Sequence, residues 1–254
     1  MNFTKRVIKK ELWFPKIELL ESTWKASESK PINVLFMPFW GSILSNREKY
    51  IENNVCLYKK VYREMNRPVK IIVAPISYYD VAEDSRRKEV CYDITNVLNE
   101  HLDSSSKFIV HGIQLGTFQH AVNLRNIRAD QYENRIAGQI YYGPLCYGLE
   151  KDGGLDLFNR AAASVIALTI AGKAEWPGFQ GRDGFDEIAT RFRYGSAKSP
   201  ILTCYSTRHS GDGKLYESYL QEWKKNGNLT AIPLSTDGQV FVEIFEKFLT
   251  SLNL

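Results

Sequence analysis

The chain has 254 residues, 44% of them apolar, which is enough to bury one large core in a single domain. Its formal charge of +4 is mild, and the basic residues come in short separated groups, Lys9-Lys10, Arg86-Arg87-Lys88 and Lys224-Lys225, that read as solvated faces and not as a nucleic-acid groove. The four cysteines, Cys56, Cys91, Cys146 and Cys204, are widely spaced without metal-ligand spacing, so buried thiols in a reducing cytoplasmic setting are expected and a metal site is not.

Residues 1–14 alternate charged and apolar side chains with no continuous hydrophobic run, which argues against a secretory signal or a membrane anchor. Leu12-Trp13-Phe14 and the run from Ile17 to Leu20 offer edge strands ahead of the core sheet. Beyond them, apolar runs of strand length alternate with helical patterns. Strands are expected at 33–38, 69–75, 108–111, 137–142, 201–205 and 229–233, and helices at 47–65, 87–102, 117–126, 213–226 and 239–252. Most of the strands are continuous apolar runs, as in a parallel sheet covered on both faces. The order specifies an α/β fold with a doubly wound, mostly parallel sheet, in one domain over 1–254.

Between two of the core strands, residues 143–199 make a long excursion containing Gly153-Gly154, an apolar helical stretch at 157–171 and Trp176-Pro177-Gly178-Phe179. It reads as a helical cap. The apolar stretch falls short of the roughly 20 residues that span a bilayer.

The most informative pentapeptide is Gly112-Ile113-Gln114-Leu115-Gly116, set between an expected strand and an expected helix. Strand, sharp turn and helix is the setting of the serine-hydrolase nucleophile elbow, in which flanking glycines let the backbone turn tightly and expose the middle side chain. Here that side chain is an amide. Gln114 has no ionisable proton near neutral pH and no lone pair basic enough to attack a carbonyl, so acyl-enzyme chemistry is excluded at this position.

With these pieces the chain resembles the α/β-hydrolase family from Asn33 to the C-terminal helix. The resemblance places the oxyanion-hole loop at Phe39-Trp40-Gly41, the elbow after the third core strand and the cap at 143–199. It implies an acid after the strand at 201–205, where Asp212 is the nearest candidate, and a histidine before the last helix. The sequence there is Leu234-Ser235-Thr236-Asp237-Gly238-Gln239, and no histidine follows His209. Two of the three triad roles are therefore vacant, and the carboxylate of Asp237 does not replace an imidazole near pH 7 unless strongly perturbed.

What remains is a set of binding candidates. The backbone N–H of Leu115, with one from Trp40 or Gly41, would cradle a carbonyl or carboxylate oxygen at a helix N-terminus. Gln114 would either bond such a ligand or tie the turn to a neighbouring loop. Tyr142 and Trp176 would line an aromatic pocket, with core packing as the rival role. His209 and Asp212 would form either a proton shuttle or an exposed loop histidine beside a helix cap. His111 is expected in the core, and His101 and His120 have no metal-ligand partner at helical spacing. No nucleotide cofactor is expected, because Gly211-Asp212-Gly213-Lys214 lacks the upstream glycine and following hydroxyl of a phosphate loop.

Three functional readings follow from the sequence. The first is a pseudoenzyme that binds a small or acyl-bearing ligand or a protein partner. The second is an enzyme of another class, a lyase, cyclase, isomerase or acyltransferase, using His209, Asp212 and Asp237. The third is a hydrolase with a displaced serine such as Ser42, Ser77, Ser206 or Ser210.

Overall fold

A computed structural model describes residues 3–9, 17–22, 30–40, 68–77, 84–113, 115–142, 196, 198–205, 221, 224, 229–233, 238–252 and 254. The helix expected at 47–65, the strand candidate Leu12-Trp13-Phe14, almost all of the helix expected at 213–226 and almost all of the 143–199 excursion lie outside these residues.

Among the described residues the strands are β1 (Phe3–Lys9), β2 (Ile17–Ser22), β3 (Ile32–Met37), β4 (Phe39–Trp40), β5 (Val69–Val73), β6 (Ile76–Ser77), β7 (Phe108–Ile113), β8 (Ile136–Tyr142), β9 (Ile201–Tyr205) and β10 (Leu229–Pro233). The described helices are α1 (Asp84–His101), α2 (Leu115–Asn126) and α3 (Gly238–Ser251). Eight strands form one sheet in the order β1-β2-β5-β3-β7-β8-β9-β10. The six from β5 to β10 run parallel, while β2 is antiparallel to both β1 and β5.

The sheet is covered on both faces, which is why its strands read as continuous apolar runs. On one side Leu35, Met37, Ile72, Ala74, Phe108 and Val110 pack against α1, whose Val90, Cys91, Ile94, Val97 and Leu98 recur at helical spacing. On the other side Val34, Phe36, Ile71, Val73, Ile109 and Ile140 meet α3 through Val242, Phe245, Phe248 and Leu249, with Leu252 just beyond its end. Cys91 and Cys204 are buried thiols, and burial pushes the Cys204 thiol up to about 12. No described helix is long and apolar enough to cross a membrane.

Helix α2 departs from this pattern. Its buried residues include Ala121 and Val122 but also Thr117, Gln119, His120 and Asn123, all fully shielded from solvent. A helix face of this polarity is tolerable in a core only when its groups find hydrogen-bond partners.

Candidate functional site

Strands β3 and β7 are neighbours, yet the chain leaves β3 for β5 on one side and returns to β7 on the other. The gap at their carboxyl ends is therefore the switch point at which doubly wound sheets bind ligands. The glycine-flanked pentapeptide sits there. Ile113 is the last residue of β7 and Leu115 the first of α2, so a single position, Gln114, separates strand from helix in the sequence. Gln114 itself lies outside the described residues.

The reversal depends on the absence of two Cβ atoms. One added to Gly112 would stand 2.6 Å from the backbone nitrogen of Thr117 and 2.8 Å from its Cα. One added to Gly116 would overlap the carbonyl oxygen of Met37 and stand 2.7 Å from its carbonyl carbon. Both obstacles are backbone, which cannot swing aside as a long side chain does. Met37 is also the register partner of Gly112, so the start of α2 is pressed against the end of β3.

The other site positions expected from sequence divide in two. Trp40 ends β4, which pairs with β6 through Phe39↔Ile76 and Trp40↔Ser77 and carries the line of β3 beyond the main sheet. Leu115 opens α2, whose first-turn N–H groups have no acceptor within the helix and whose first turn has no acidic residue. Tyr142 ends β8, opposite Ile113 of β7 on one side and Cys204 of β9 on the other. The backbones of Leu115 and Tyr142 thus share the carboxyl edge of the sheet with the turn, and Trp40 continues from that edge beyond β3. Gly41, Trp176, His209, Asp212 and Asp237, like Gln114, lie outside the described residues.

Three of the four histidines are described, and the fold gives each an occupation. His111 is buried on β7, edge-on to Phe36 with ring centroids 5.5 Å apart and 6.1 Å from Phe245. Burial lowers its pKa to about 3, so it is neutral. His120 is buried on α2, with Nδ1 2.9 Å from the Tyr132 hydroxyl and Nε2 2.9 Å from Gln139 Oε1. Burial lowers it to about 4, against smaller opposing effects of the Gln139 hydrogen bond and the Glu133 charge. His101 closes α1, and its carbonyl accepts a bond from Lys70 near the start of β5, at the sheet edge opposite the elbow. Among the described residues no group of three or more histidines, cysteines, aspartates or glutamates could hold a metal ion.

Reading the sequence missed the polar cluster around His120. Gln119 Nε2 donates to Asn123 Oδ1 at 2.9 Å, Asn123 Nδ2 donates to the Tyr132 hydroxyl at 3.1 Å, and the Tyr141 hydroxyl donates to Gln139 Oε1 at 2.7 Å. Burial raises both phenol pKa values. The signal available was Gln119, His120 and Asn123 at helical spacing on a helix with few strongly apolar residues.

No family model matches the sequence, and no curated protein matches it either. Solved structures do match. A hyperthermophilic esterase from the archaeon Pyrobaculum calidifontis aligns with TM-score 0.59 and 13% identity, over 98% of this chain and 85% of that one. Carboxyl esterase 2 from the mycorrhizal fungus Tuber melanosporum aligns with TM-score 0.59 and 15% identity, over 100% and 88%. A fungal esterase from Rhizomucor miehei gives 0.56 and 15%, over 98% and 81%. The class that the sheet order, the switch-point turn and these likenesses define is the α/β-hydrolase fold. At such identity the likeness is one of fold, and activity is a separate question.

Proposed function

We propose that this protein is a non-hydrolytic α/β-hydrolase-fold protein that binds a small, acyl-bearing ligand through a carbonyl or carboxylate oxygen. The observation that carries this reading is the pair of glycine-only approaches, Gly112 against Thr117 and Gly116 against Met37, in a turn whose apex position holds glutamine. In this reading the chain keeps the backbone form of a nucleophile elbow and has lost its chemistry. Support comes from the histidines. His111 and His120 are packed and neutral, His101 is at the far edge, and the sequence has none after His209.

In this reading the N–H of Leu115, with one from Trp40 or Gly41, receives the ligand oxygen, and Gln114 adds an amide donor. Tyr142 and Trp176 line the apolar part under a cap formed by residues 143–199. An oxygen acceptor suits the N-terminus of α2, where the helix dipole is positive and no acidic side chain of the first turn offsets it.

Short-chain carboxylates such as butyrate and hexanoate are the probes. They are expected to raise the melting temperature in a saturable way, and Gln114→Ala to weaken them by about 30-fold, the equivalent of one hydrogen bond to a charged acceptor of about 2 kcal/mol. The same protein is expected to leave p-nitrophenyl butyrate at its uncatalysed rate. Turnover of that ester that disappears in Gln114→Ala would refute the proposal, and so would the absence of any carboxylate effect.

A further inference from the structure

We infer that Gln139 and His120 form a buried latch that fixes the segment leading into β9, at Ser196 and Ser199, to the elbow helix α2. The inference is independent of what the elbow binds. It rests on a hydrogen-bond chain whose direction is set throughout.

The direction begins at a backbone group that can only donate. Ser196 N–H donates to Gln139 Oε1 at 3.0 Å, which settles the orientation of that amide. Its nitrogen then donates to the Ser196 carbonyl at 2.8 Å and to Ser199 Oγ at 2.9 Å. The side-chain amide of Gln139 thus pairs with the backbone of Ser196 in both directions, as a second peptide unit would. Because Gln139 Oε1 only accepts, His120 must carry its proton on Nε2. Nδ1 is then the acceptor, and the Tyr132 hydroxyl donates to it. The Tyr132 oxygen in turn accepts from Asn123, whose own oxygen accepts from Gln119 and from the Cys91 thiol at 3.2 Å. Only the neutral Nε2–H form of His120 completes the chain.

A feature of the sheet aims Gln139 at this cluster. Phe108 pairs with Ile136, but the next pair is Ile109 with Gly138, so Ala137 is an extra residue in β8. An extra residue turns every later side chain of the strand to the opposite face. Without it, Gln139 would face α3. With it, Gly138 faces α3, where a Cβ would stand 2.6 Å from Leu252 Cδ1, and Gln139 faces His120. A second tie joins the same segment to the turn before β8: Ser196 Oγ donates to Glu133 Oε1 at 3.0 Å, and Lys198 Nζ lies 3.0 Å from Glu133 Oε2.

As a positioning pair, Gln139 and His120 tie the return limb of the 143–199 excursion to the helix that starts at the elbow. The test is hydrogen exchange at the Ser196 amide, read by NMR beside the amides of Val34 and Leu35 in β3, which report global opening. In the wild-type protein the Ser196 amide is expected to exchange slowly. In His120→Asn, a change at a residue joined to Ser196 through Gln139, it is expected to exchange about 30-fold faster, equivalent to about 2 kcal/mol at 1.4 kcal/mol per tenfold. The β3 amides, which open only with the whole fold, are expected to accelerate by at most the same factor, because loss of the latch lowers global stability as well. Tyr132→Phe keeps the ring and removes the donor to Nδ1 together with the acceptor of Asn123, so it serves if His120→Asn does not fold, with about a tenfold acceleration expected at Ser196. A Ser196 rate unchanged in both variants, or one already equal to the global-opening rate of the β3 amides in the wild-type protein, would overturn the latch.

Discussion

Gly116→Ala is expected to destabilise the protein by about 4 kcal/mol, in the range reserved for severe single substitutions. The added methyl overlaps the Met37 carbonyl oxygen, so α2 must withdraw from the end of β3 or the strand must bend. Either movement disturbs the pairing of β3 with β7 at Met37↔Gly112 and the packing of Ala121 and Val122 beneath it. For a chain of this length, 4 kcal/mol corresponds to a fall in melting temperature of roughly 8–16 °C. Differential scanning calorimetry of the variant checks this. A shift under about 2 °C would mean that the turn is looser than the Gly112 and Gly116 approaches require. Gly112→Ala is expected to act in the same sense, because its obstacle, Thr117, is also backbone.

Acid is expected to weaken the fold well before the carboxylates titrate. His111 and His120 have pKa values lowered from 6.5 to about 3 and about 4, with burial the largest cause in each case. In the unfolded chain both take up a proton near pH 6.5, and in the fold they do not until much lower pH. Between those limits the unfolded state binds more protons, so stability is fully present above pH 6.5 and declines as pH falls toward 4. At 1.36 kcal/mol per unit the loss is on the order of 3 kcal/mol for His120 and somewhat more for His111, against a total stability of about 5–15 kcal/mol for ordinary domains. Around His120 the Gln139 hydrogen bond and the Glu133 charge favour the charged form but are outweighed by burial, while the Tyr132 and Tyr141 phenols are held neutral by burial. Urea midpoints measured at pH 7.5, 6.5, 5.5 and 4.5 are expected to hold between the first two values and then fall steeply. A midpoint constant down to pH 4.5 would contradict the buried neutral state of both rings.

The sequence was most legible where one physical pattern acts alone. The strands expected at 201–205 and 229–233 coincide with β9 and β10, and the helix expected at 239–252 differs from α3 by one residue at each end. The setting of the glycine-flanked pentapeptide between a strand and a helix was legible, but not its boundaries. The strand expected to stop at His111 runs on to Ile113, and the helix expected from Thr117 begins at Leu115. Both displacements come from glycine: Gly112 and Gly116 look like loop residues by propensity but are retained inside regular elements because Thr117 and Met37 leave no room for a Cβ. The first strand, Phe3–Lys9, was hidden because an edge strand of alternating charged and apolar residues also reads as a polar N-terminus.

The buried cluster was invisible for a different reason. His120 has no partner at helical spacing because its partners are a phenol 12 residues on and an amide 19 residues on, brought together by the packing of α2 over β8. The bulge at Ala137 that decides which face Gln139 occupies leaves no mark in composition or periodicity. Residue order was enough to put Leu115 near the start of a helix and Tyr142 at the end of a strand, as α2 and β8 have them.

The most direct measurement is exposure of the purified protein to a fluorophosphonate probe, followed by intact-mass analysis and peptide mapping. With glutamine at the centre of the pentapeptide and no histidine in the sequence after His209, the proposed loss of hydrolytic chemistry predicts no adduct on any residue after hours at concentrations that label a serine esterase completely. A stoichiometric adduct mapped to one serine, whether Ser42, Ser77, Ser206, Ser210 or another, would show that the protein keeps an activated nucleophile and would contradict the proposed loss of hydrolytic chemistry.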